Sequence, residues 1–297
     1  MFSKQNNCKI CSSTGIELFK IKFDNKKILN FFNSEYGKKT SNFLKKKIGK
    51  ENFILKKCYY CEFIWQKNIP NNSFLKQLYD KIIDPIDSFK KSKDINVLQK
   101  KYIENEIIFF QNFHNENDLN VLDFGAGWGT WLLNIKTKCP NIFASEFSTI
   151  RKRYLIKNDI NVINFKDKKY NNYFHVVRLE QVLEHIVDLK GMIFKLKKMI
   201  KKGGVLSIGV PNGQYEINKE LIKLKKGPIQ PLEHLNCFNN KSLKILFKKN
   251  GFKSMSILKI VTTFLRTKRF NYYNIRYILV LIKNSFFSTK IYFIKIR

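Results

Sequence analysis

Short apolar runs alternate with helix-like stretches over the second half of the chain. The apolar runs read VLDF (121–124), IFAS (142–145), VINF (162–165), FHVVRL (174–179) and VLSIGV (205–210). Between them, helices are predicted to begin near Thr130, Ser148, Val182 and Lys190, with a later one opening at Ser242. Such alternation is typical of right-handed βαβ units, so the pattern predicts an α/β fold with a largely parallel sheet.

The C-terminal part of the pattern is less regular. GFKSMSILKI (251–260) and KIYFIKI (290–296) predict two closing strands, which would bring the sheet to seven strands. The segment between them, 261–289, fits no single element.

The first part of the chain has a different pattern. Residues 1–72 contain two strand-like runs, ELFKIKF (17–23) and FILKKCYY (53–60). Helices are predicted for SFLKQLYDKII, which starts at the N-cap candidate Ser73, and for VLQKKYIENEIIFFQNF (97–113). The predicted division of the chain is a small module at 1–72, a helical connector at 73–118 and an α/β domain at 119–297.

The chain is strongly basic, with a net charge of +33 over 297 residues. Lysines far outnumber arginines, as AT-rich coding favours, so the charge alone is weak support for a nucleic-acid partner. After Glu233 there is no Asp or Glu, while 14 Lys and Arg occur in 64 residues. Two interpretations remain open for this tail, a solvated basic face or contact with an anionic membrane surface or a phosphorylated carrier.

The sequence carries no recognisable targeting signal. Residues 1–7 are polar with no apolar stretch behind them, and the apolar run at 277–282 is too short to span a membrane. We therefore expect the six cysteines to be reduced and the protein to be cytoplasmic.

A glycine-rich turn joins the first strand of the α/β domain to its helix. Within VLDFGAGWGT (121–130) the glycines are Gly125, Gly127 and Gly129. Their spacing is tighter than the GxGxxG of dinucleotide sites, and Asp123 would repel a phosphate but attract an ammonium group. Glu146 ends the next strand, where a carboxylate can accept both hydroxyls of a ribose. The two carboxylates favour a nucleoside with a cationic amino-acid tail.

Five segments, in order, resemble motifs of the class I S-adenosylmethionine-dependent methyltransferases. They are VLDFGAGWGT (121–130), ASEFS (144–148), FHVVRLEQVLEHIVDL (174–189), KKGGVLSIGVPN (201–212) and PLEHLNCFNNKSLKILFKKNGF (231–252). The last is similar to a stretch of small-molecule methyltransferases from bacterial sugar, polysaccharide and quinone pathways. The resemblance implies a doubly wound, Rossmann-like, mostly parallel seven-stranded sheet. The family usually has Asp where this chain has His175.

The resemblance also implies a role for each residue that matches a motif. Asp123 would lie near the methionine ammonium, Glu146 would bind the ribose and Phe147 would flank the adenine. Asp167, after the third strand, would approach the adenine amino group. The residues that would line the methionine moiety and the sulfonium are Gly125, Ala126, Gly127, Gly129, Glu180, Gln181 and Val182.

Four cysteines form two CxxC pairs, Cys8 with Cys11 and Cys58 with Cys61. Two such pairs can surround one tetrahedral zinc ion with four thiolates, which predicts a small structural module like a zinc ribbon. The other interpretation is a set of reduced structural thiols. An N-terminal zinc module before this catalytic domain resembles the sugar C-methyltransferases, whose zinc is not the methyl-transfer catalyst.

Two of the four histidines are candidates for a general base. His114 and His175 are expected to be structural, because one ends a helix and the other lies in a buried strand. In the family's sugar C-methyltransferases a histidine after the fourth strand and a Glu-His pair after the fifth face the substrate, and His185 and Glu233-His234 match them. Pro231 stands where a tyrosine is expected. A packing role for His185 remains the alternative.

The sequence therefore predicts methyl transfer from S-adenosylmethionine to an oxygen or carbon of a small molecule. A sugar or polysaccharide precursor, which could be linked to a nucleotide or a lipid, is the expected substrate. One alternative is an RNA methyltransferase, which the charge and the zinc module suggest, although the fourth-strand motif lacks the NPPY-type tetrapeptide of amino-group methylating enzymes. Another alternative is a non-catalytic nucleoside-binding protein.

Overall fold

The structure, a computed structural model, describes residues 2–71, 73–74, 85–213, 227–266, 272–287 and 289–296. It divides the chain into two compact units. The first comprises Met1–Pro85, Leu183–Leu189 and Val210–Leu246, and the second comprises Ile86–Val182, Lys190–Gly209 and Phe247–Arg297. The predicted division at 72 and 118 is sequential, whereas these two units interleave along the chain.

The first unit contains two small sheets among its described residues. The strands are β1 (Phe2–Lys4), β2 (Gly15–Lys22), β3 (Asn52–Cys58), β4 (Ile64–Gln66), β5 (Asn68–Pro70) and β11 (Asn236–Cys237). One sheet is antiparallel with the order β11-β4-β3-β2, and the other pairs β1 with β5. The strands predicted at 17–23 and 53–60 are confirmed as β2 and β3. Strand β11 places Asn236 opposite Trp65, which joins a distant part of the chain to the N-terminal module.

Helix α1 (Lys26–Ile48) lies between β2 and β3 in the chain and was not predicted. The side chain of Asn25 caps it by accepting the N–H of Lys27 at 3.0 Å. The helix is interrupted at Gly37, whose φ of +80° is outside the helical region. Its inner residues, which include Phe32 and Leu44, are fully buried in one core with the residues of β3.

The second unit contains a seven-stranded sheet among its described residues. Its strands are β6 (Val121–Phe124), β7 (Ile142–Ser145), β8 (Asn161–Val162), β9 (Phe174–Glu180), β10 (Ile200–Val210), β12 (Phe252–Ser254) and β13 (Thr289–Lys295). The order is β12-β13-β10-β9-β6-β7-β8. Strands β6 to β10 pair in parallel, and β12 is antiparallel to β13. The predicted Rossmann-like, doubly wound α/β fold is confirmed.

Eight helices follow α1 among the described residues. They are α2 (Pro85–Lys93), α3 (Val97–His114), α4 (Thr130–Ile135), α5 (Thr149–Lys157), α6 (Leu189–Met199), α7 (Asn240–Lys249), α8 (Ile257–Leu265) and α9 (Tyr272–Phe287). A capping box between Asn96 and Gln99 starts α3. Its inner residues Ile107 and Phe110 are fully buried in one core with Val121 and Val176 of the sheet.

Three predicted elements differ in the structure. The predicted strand 251–260 is only β12, because the side chain of Ser256 accepts the N–H of Lys259 at 3.2 Å and starts helix α8. The segment 261–289 holds the end of α8, all of α9 and the first residue of β13. The helix predicted near Val182 is a short 3-10 turn, Leu183–His185.

The other predicted elements lie close to where the sequence put them. The strands at VLDF and IFAS are confirmed without a shift, while the third strand is shorter and ends at Val162. Most of the helix predicted at 73–83 lies outside the described residues. Within the part of the chain that the structure describes, the helices are too short or too polar to cross a membrane.

Candidate functional site

The glycine turn follows β6 at the point where the strand order of the sheet reverses. Strands β7 and β8 continue on one side of β6, while β9 and β10 lie on the other. In open α/β sheets, ligands bind at the carboxyl ends of the strands beside such a reversal. The turn therefore has the position that the sequence predicts for a nucleoside site.

The backbone of the turn requires glycine and leaves one side open. Gly125, Gly127 and Gly129 have φ values of +76°, +57° and +72°. A Cβ atom on Gly125 would lie 2.6 Å from the side chain of Val182, so these two predicted residues pack together. A Cβ atom on Gly127 would meet nothing within 4 Å, so a ligand can approach the backbone here. Ala126 lies between them, and its N–H donates to Ser145.

Glu146 holds the turn to the end of β7. One carboxylate oxygen accepts the N–H of Gly127 at 2.8 Å. The other accepts the N–H groups of Phe147 and Ser148 at 2.7 and 2.9 Å. A carboxylate offers about four acceptor positions, so one remains open, on the oxygen that accepts the N–H of Gly127. Glu146 can therefore fix the turn and accept a ligand hydroxyl as well.

Phe147 is an exposed aromatic side chain beside the same strand end. Its exposed fraction is 59%, and its ring lies edge-on to Phe124 and Phe165, with centroids 6.0 and 6.1 Å apart. A ring in this position can flank a base. Asp167 instead caps the turn Lys168–Tyr170 by accepting the N–H of Lys169 at 3.0 Å.

Asp123 is buried in a network of ion pairs rather than standing alone. It accepts a hydrogen bond from Arg178 at 3.1 Å, and Arg178 also contacts Glu180 at 3.3 Å. Lys290 pairs with Glu106 at 2.8 Å and with Glu180 at 3.1 Å. These three carboxylates and two cations, which we call the buried ion network, carry a net charge of −1 when all are ionised.

The pKa values within the network differ because the carboxylates have different partners. Burial raises the pKa of Asp123 to about 6, although Arg178 opposes the shift. Burial also acts on Glu180, but the ion pairs with Lys290 and Arg178 outweigh it and lower the pKa of that carboxyl. Asp123 is thus the carboxylate of this pair that changes charge near neutral pH.

Three members of the network were not predicted. Arg178 did give a signal, because an arginine within an apolar strand run such as FHVVRL needs a buried partner. Glu106 lies on α3 and Lys290 on β13, far from the motif in sequence. Gly209 was also missed. A Cβ atom there would overlap the carboxylate of Glu180, so glycine is needed where β10 passes this side chain.

Gln181 and Val182 follow Glu180 at the end of β9. Gln181 has a left-handed backbone with φ of +55°, and its N–H donates to Gly209 at 2.8 Å. This conformation is uncommon outside glycine and ends the strand sharply. Val182 then packs against Gly125 as described above. The structure therefore joins Gly125, Gly127, Glu146, Glu180 and Val182 through contacts within one unit.

A second group of predicted residues lies in the first unit. The rings of His185 and His234 are 4.9 Å apart at 81°. His185 Nδ1 lies 3.1 Å from the carbonyl oxygen of Glu233, and His234 Nδ1 lies 3.2 Å from that of Pro228. Because a carbonyl oxygen only accepts, each Nδ1 carries the hydrogen and each Nε2 carries the lone pair.

The surroundings of this histidine pair keep it neutral. Burial lowers the pKa of His185 to about 3 and that of His234 to about 4. Partial burial raises the pKa of the Glu233 carboxyl, and this carboxylate accepts a hydrogen bond from the hydroxyl of Tyr36 on α1. Tyr36 thus reaches Glu233 from a distant part of the chain, a contact for which the sequence gave no signal.

The remaining histidines have structural surroundings. His114 ends α3, and its ring lies 5.5 Å from that of His175 in β9. His175 Nδ1 accepts the N–H of Asn120 at 2.9 Å. These contacts are consistent with the packing roles that the sequence predicts for both.

The four cysteines of the two CxxC pairs come together in the first unit. The Sγ atoms of Cys8 and Cys61 lie 3.5 Å apart, and those of Cys11 and Cys58 lie 3.4 Å apart. Four sulfurs at about 2.3 Å from a tetrahedral zinc ion would lie roughly 3.8 Å from one another. The loop between the pairs therefore folds back as the zinc hypothesis requires, and the cluster can hold a tetrahedral metal ion.

Comparison with known proteins identifies the family of the chain. Residues 93–257, more than half of the chain, match the family described as "Methyltransferase domain". An uncharacterized protein of Methanocaldococcus jannaschii is 27% identical over 205 residues, which cover 67% of this chain and 88% of that protein. The ubiquinone biosynthesis O-methyltransferase of Pelagibacter ubique is 24% identical over 143 residues, which cover 43% of this chain and 59% of that enzyme.

The fold is shared with a solved methyltransferase. The structure of the plantazolicin methyltransferase BpumL, in complex with a pentazolic desmethyl analogue and S-adenosylhomocysteine, matches with a TM-score of 0.50. The match covers 75% of this chain and 95% of that chain at 12% identity, which supports a common fold.

Proposed function

Because the chain belongs to the methyltransferase-domain family and is an S-adenosylmethionine-dependent methyltransferase, we propose that it methylates an oxygen or carbon of a small molecule. The observation that carries the proposal is the glycine turn, whose open Gly127 backbone is held by the carboxylate of Glu146. S-adenosylmethionine supplies an electrophilic methyl group on a sulfonium. Methyl transfer then depends mainly on how the chain positions the two reactants.

The residues of the turn fit each part of this cofactor. Gly127 leaves space beside the backbone for the methionine end, and Glu146 keeps one acceptor position for a ribose hydroxyl, while a second hydroxyl would replace one of its backbone N–H partners. Phe147 offers a ring face to the adenine. The buried ion network, with its surplus carboxylate, complements the ammonium group at Asp123. Asp167 is engaged in capping its own turn, so its proposed contact with the adenine has the weakest support.

Cofactor affinity should depend on the protonation of Asp123. Its pKa is raised to about 6, so below pH 6 the carboxyl is neutral and the network loses the charge that complements an ammonium. S-adenosylhomocysteine should therefore bind about tenfold more weakly at pH 5 than at pH 8, as calorimetric titration at both values would measure. Asp123→Asn should bind weakly at both values and lose the pH dependence. An unchanged affinity of the wild-type chain across this range would contradict the assignment.

We propose His234 or His185 as the base for an acceptor that must lose a proton. Both are neutral at pH 7 with the lone pair on Nε2, and Glu233 fixes His185 through its carbonyl oxygen. General-base catalysis contributes roughly 10²–10⁴ in rate, so the double variant His185→Asn/His234→Asn should lose turnover by that factor. Its affinity for S-adenosylhomocysteine should stay within about twofold, since neither residue belongs to the glycine turn. Turnover like that of the matched control His114→Asn would exclude both histidines as the base.

We also propose that the four clustered cysteines bind one structural zinc ion. The purified chain should contain one zinc ion by mass spectrometry, whereas Cys8→Ser/Cys61→Ser should contain almost none. The melting temperature of this variant should fall by roughly 5–15 °C. Cys139→Ser, which changes a buried cysteine outside the cluster, should keep its zinc. The site would be contradicted if the wild-type chain contained no zinc and the Cys8→Ser/Cys61→Ser variant had the same melting temperature as the wild-type chain.

A sugar or polysaccharide precursor is the substrate class that we propose. The small-molecule substrate agrees with the ubiquinone-pathway relative, and the sugar class rests on the paired Glu233-His234 and on Tyr36, which contacts Glu233. Labelled S-adenosylmethionine should be supplied with nucleotide-linked sugars, lipid-linked sugars and RNA in parallel. Label in a sugar fraction supports the proposal. Label in RNA would overturn it, and cofactor binding with no label transferred would favour a non-catalytic nucleoside-binding protein.

A further inference from the structure

Helices α8 and α9 are held to the second unit by one face each. The ring of Phe264 lies 5.2 Å from Phe109 of α3 and 5.5 Å from Tyr277 of α9, measured between centroids. Asn274 donates a hydrogen bond to the side chain of Asn105 at 3.1 Å. Phe264, Asn274 and Tyr277 are all buried. These contacts fix which side of each helix faces outward.

The solvent-exposed sides of α8 and α9 carry apolar side chains, whereas the exposed side of a helix is usually polar. The exposed residues and their exposed fractions are Leu258 (73%), Leu265 (59%), Tyr272 (64%), Ile275 (46%) and Leu279 (58%). Within each helix they are spaced by three, four or seven residues, so they form one stripe per helix. A contiguous apolar surface that stays exposed marks an interaction site rather than chance variation. We call these five residues the apolar stripe.

Two exposed arginines flank the apolar stripe, and no acidic residue lies nearby in sequence. Arg266 directly follows α8, and Arg276 lies on α9, where its guanidinium contacts the hydroxyl of Tyr272 at 3.4 Å. The last 64 residues contain 14 Lys and Arg and no Asp or Glu. Apolar stripes flanked by cationic side chains are the features by which interfacial helices bind anionic bilayers.

We propose that the apolar stripe and its flanking arginines form a docking surface for an anionic lipid bilayer. The leucines and Ile275 would enter the boundary between headgroups and acyl chains, Tyr272 would lie at headgroup level, and Arg266 and Arg276 would contact lipid phosphates. A second copy of this chain is a poorer occupant, because it carries the same charge of +33. RNA is poorer as well, since aliphatic leucines cannot stack on bases.

The surface can be tested by sedimentation with vesicles. The wild-type chain should bind vesicles of phosphatidylcholine and phosphatidylglycerol at a ratio of roughly three to one, and bind pure phosphatidylcholine at least tenfold more weakly. Leu258→Ser/Leu279→Ser should lower the partition coefficient about tenfold or more. The matched control Ile156→Ser/Phe194→Ser removes apolar residues of similar exposure elsewhere and should stay within about twofold.

A second pair of variants separates charge from insertion. Arg266→Gln/Arg276→Gln should lower binding to anionic vesicles by about tenfold, whereas Arg153→Gln/Lys157→Gln on α5 should change it much less. Equal binding by the wild-type chain and Leu258→Ser/Leu279→Ser would overturn the proposal. The proposal would also be overturned if the wild-type chain were a dimer and Leu258→Ser/Leu279→Ser were a monomer, because the apolar stripe would then bind a second copy of the chain. The inference does not rest on the methyltransferase activity, and all four variants should keep their affinity for S-adenosylhomocysteine.

Discussion

Replacing Glu146 with alanine should weaken the binding of S-adenosylhomocysteine by about a hundredfold or more. The carboxylate accepts the N–H of Gly127 at 2.8 Å, which fixes the turn, and is proposed to accept a ribose hydroxyl as well. Hydrogen bonds to a charged group contribute about 1.5–3 kcal/mol each, so losing both the bond that fixes the turn and the bond to the ligand costs about a hundredfold in affinity or more. Isothermal titration calorimetry measures this difference directly.

Two further variants test whether the loss of affinity is specific to the Glu146 carboxylate. Asp159→Ala removes a carboxylate that is 85% exposed and paired only with Lys136 in the described contacts, and its affinity should match that of the wild-type chain. Glu146→Gln retains an oxygen for the N–H of Gly127 but loses the charge, so we expect an intermediate loss of about tenfold. If Glu146→Ala folds and binds within about twofold of the wild-type chain, Glu146 does not contact the ligand.

Replacing Arg178 with methionine should destabilise the second unit by about 3–5 kcal/mol. Arg178 contacts Asp123, Glu180 and Glu106 at 3.1, 3.3 and 3.7 Å, and its side chain is 13% exposed. Without it, Lys290 alone would compensate three carboxylates, of which Asp123 and Glu106 are buried. Removing one partner of a buried ion pair leaves an uncompensated charge, which is far more costly than losing the attraction. Urea unfolding followed by circular dichroism measures the change.

A second substitution in the buried ion network should restore part of the stability that Arg178→Met loses. Adding Glu106→Gln to Arg178→Met removes one negative charge from the network and leaves Lys290 to pair with Glu180, so part of the lost stability should return. Arg153→Met, which changes an exposed arginine on α5, should alter the free energy of unfolding by less than about 0.5 kcal/mol. A loss below about 1 kcal/mol for Arg178→Met would show that the ion pairs contribute little, as exposed pairs do.

The glycine turn could be predicted because its determinants are local. Gly125, Gly127 and Glu146 lie at the ends of adjacent parallel strands, and a strand followed by a tight turn and a helix fixes where each one points. The sequence also predicted that the four cysteines come together. Each CxxC spacing brings two sulfur atoms to one side of a metal ion, whatever the length of the loop between the two pairs. The glycines of the turn and the two cysteines of each CxxC pair lie within a few positions of one another, whereas the fold brings Glu146 to the turn and the two cysteine pairs together.

The network around Asp123 and the tyrosine beside Glu233 could not be predicted in the same way. Lys290 reaches Glu180 from β13, and Tyr36 reaches Glu233 from a helix that no periodicity indicated. These contacts depend on strand order and packing between distant segments. The apolar residues after Ser256 predict a strand, but the structure has helix α8 there. The side chain of Ser256 caps this helix, and the apolar pattern alone does not indicate the cap.

The central claim is that the glycine turn, with Glu146, binds the adenosyl and amino-acid parts of S-adenosylmethionine. Titration of the wild-type chain with S-adenosylhomocysteine, and in parallel with NAD, tests it most directly. Saturable binding of one S-adenosylhomocysteine per chain, with no heat from NAD, is the predicted result. A folded chain that gives no heat with S-adenosylhomocysteine, or that binds NAD as tightly, would contradict the account.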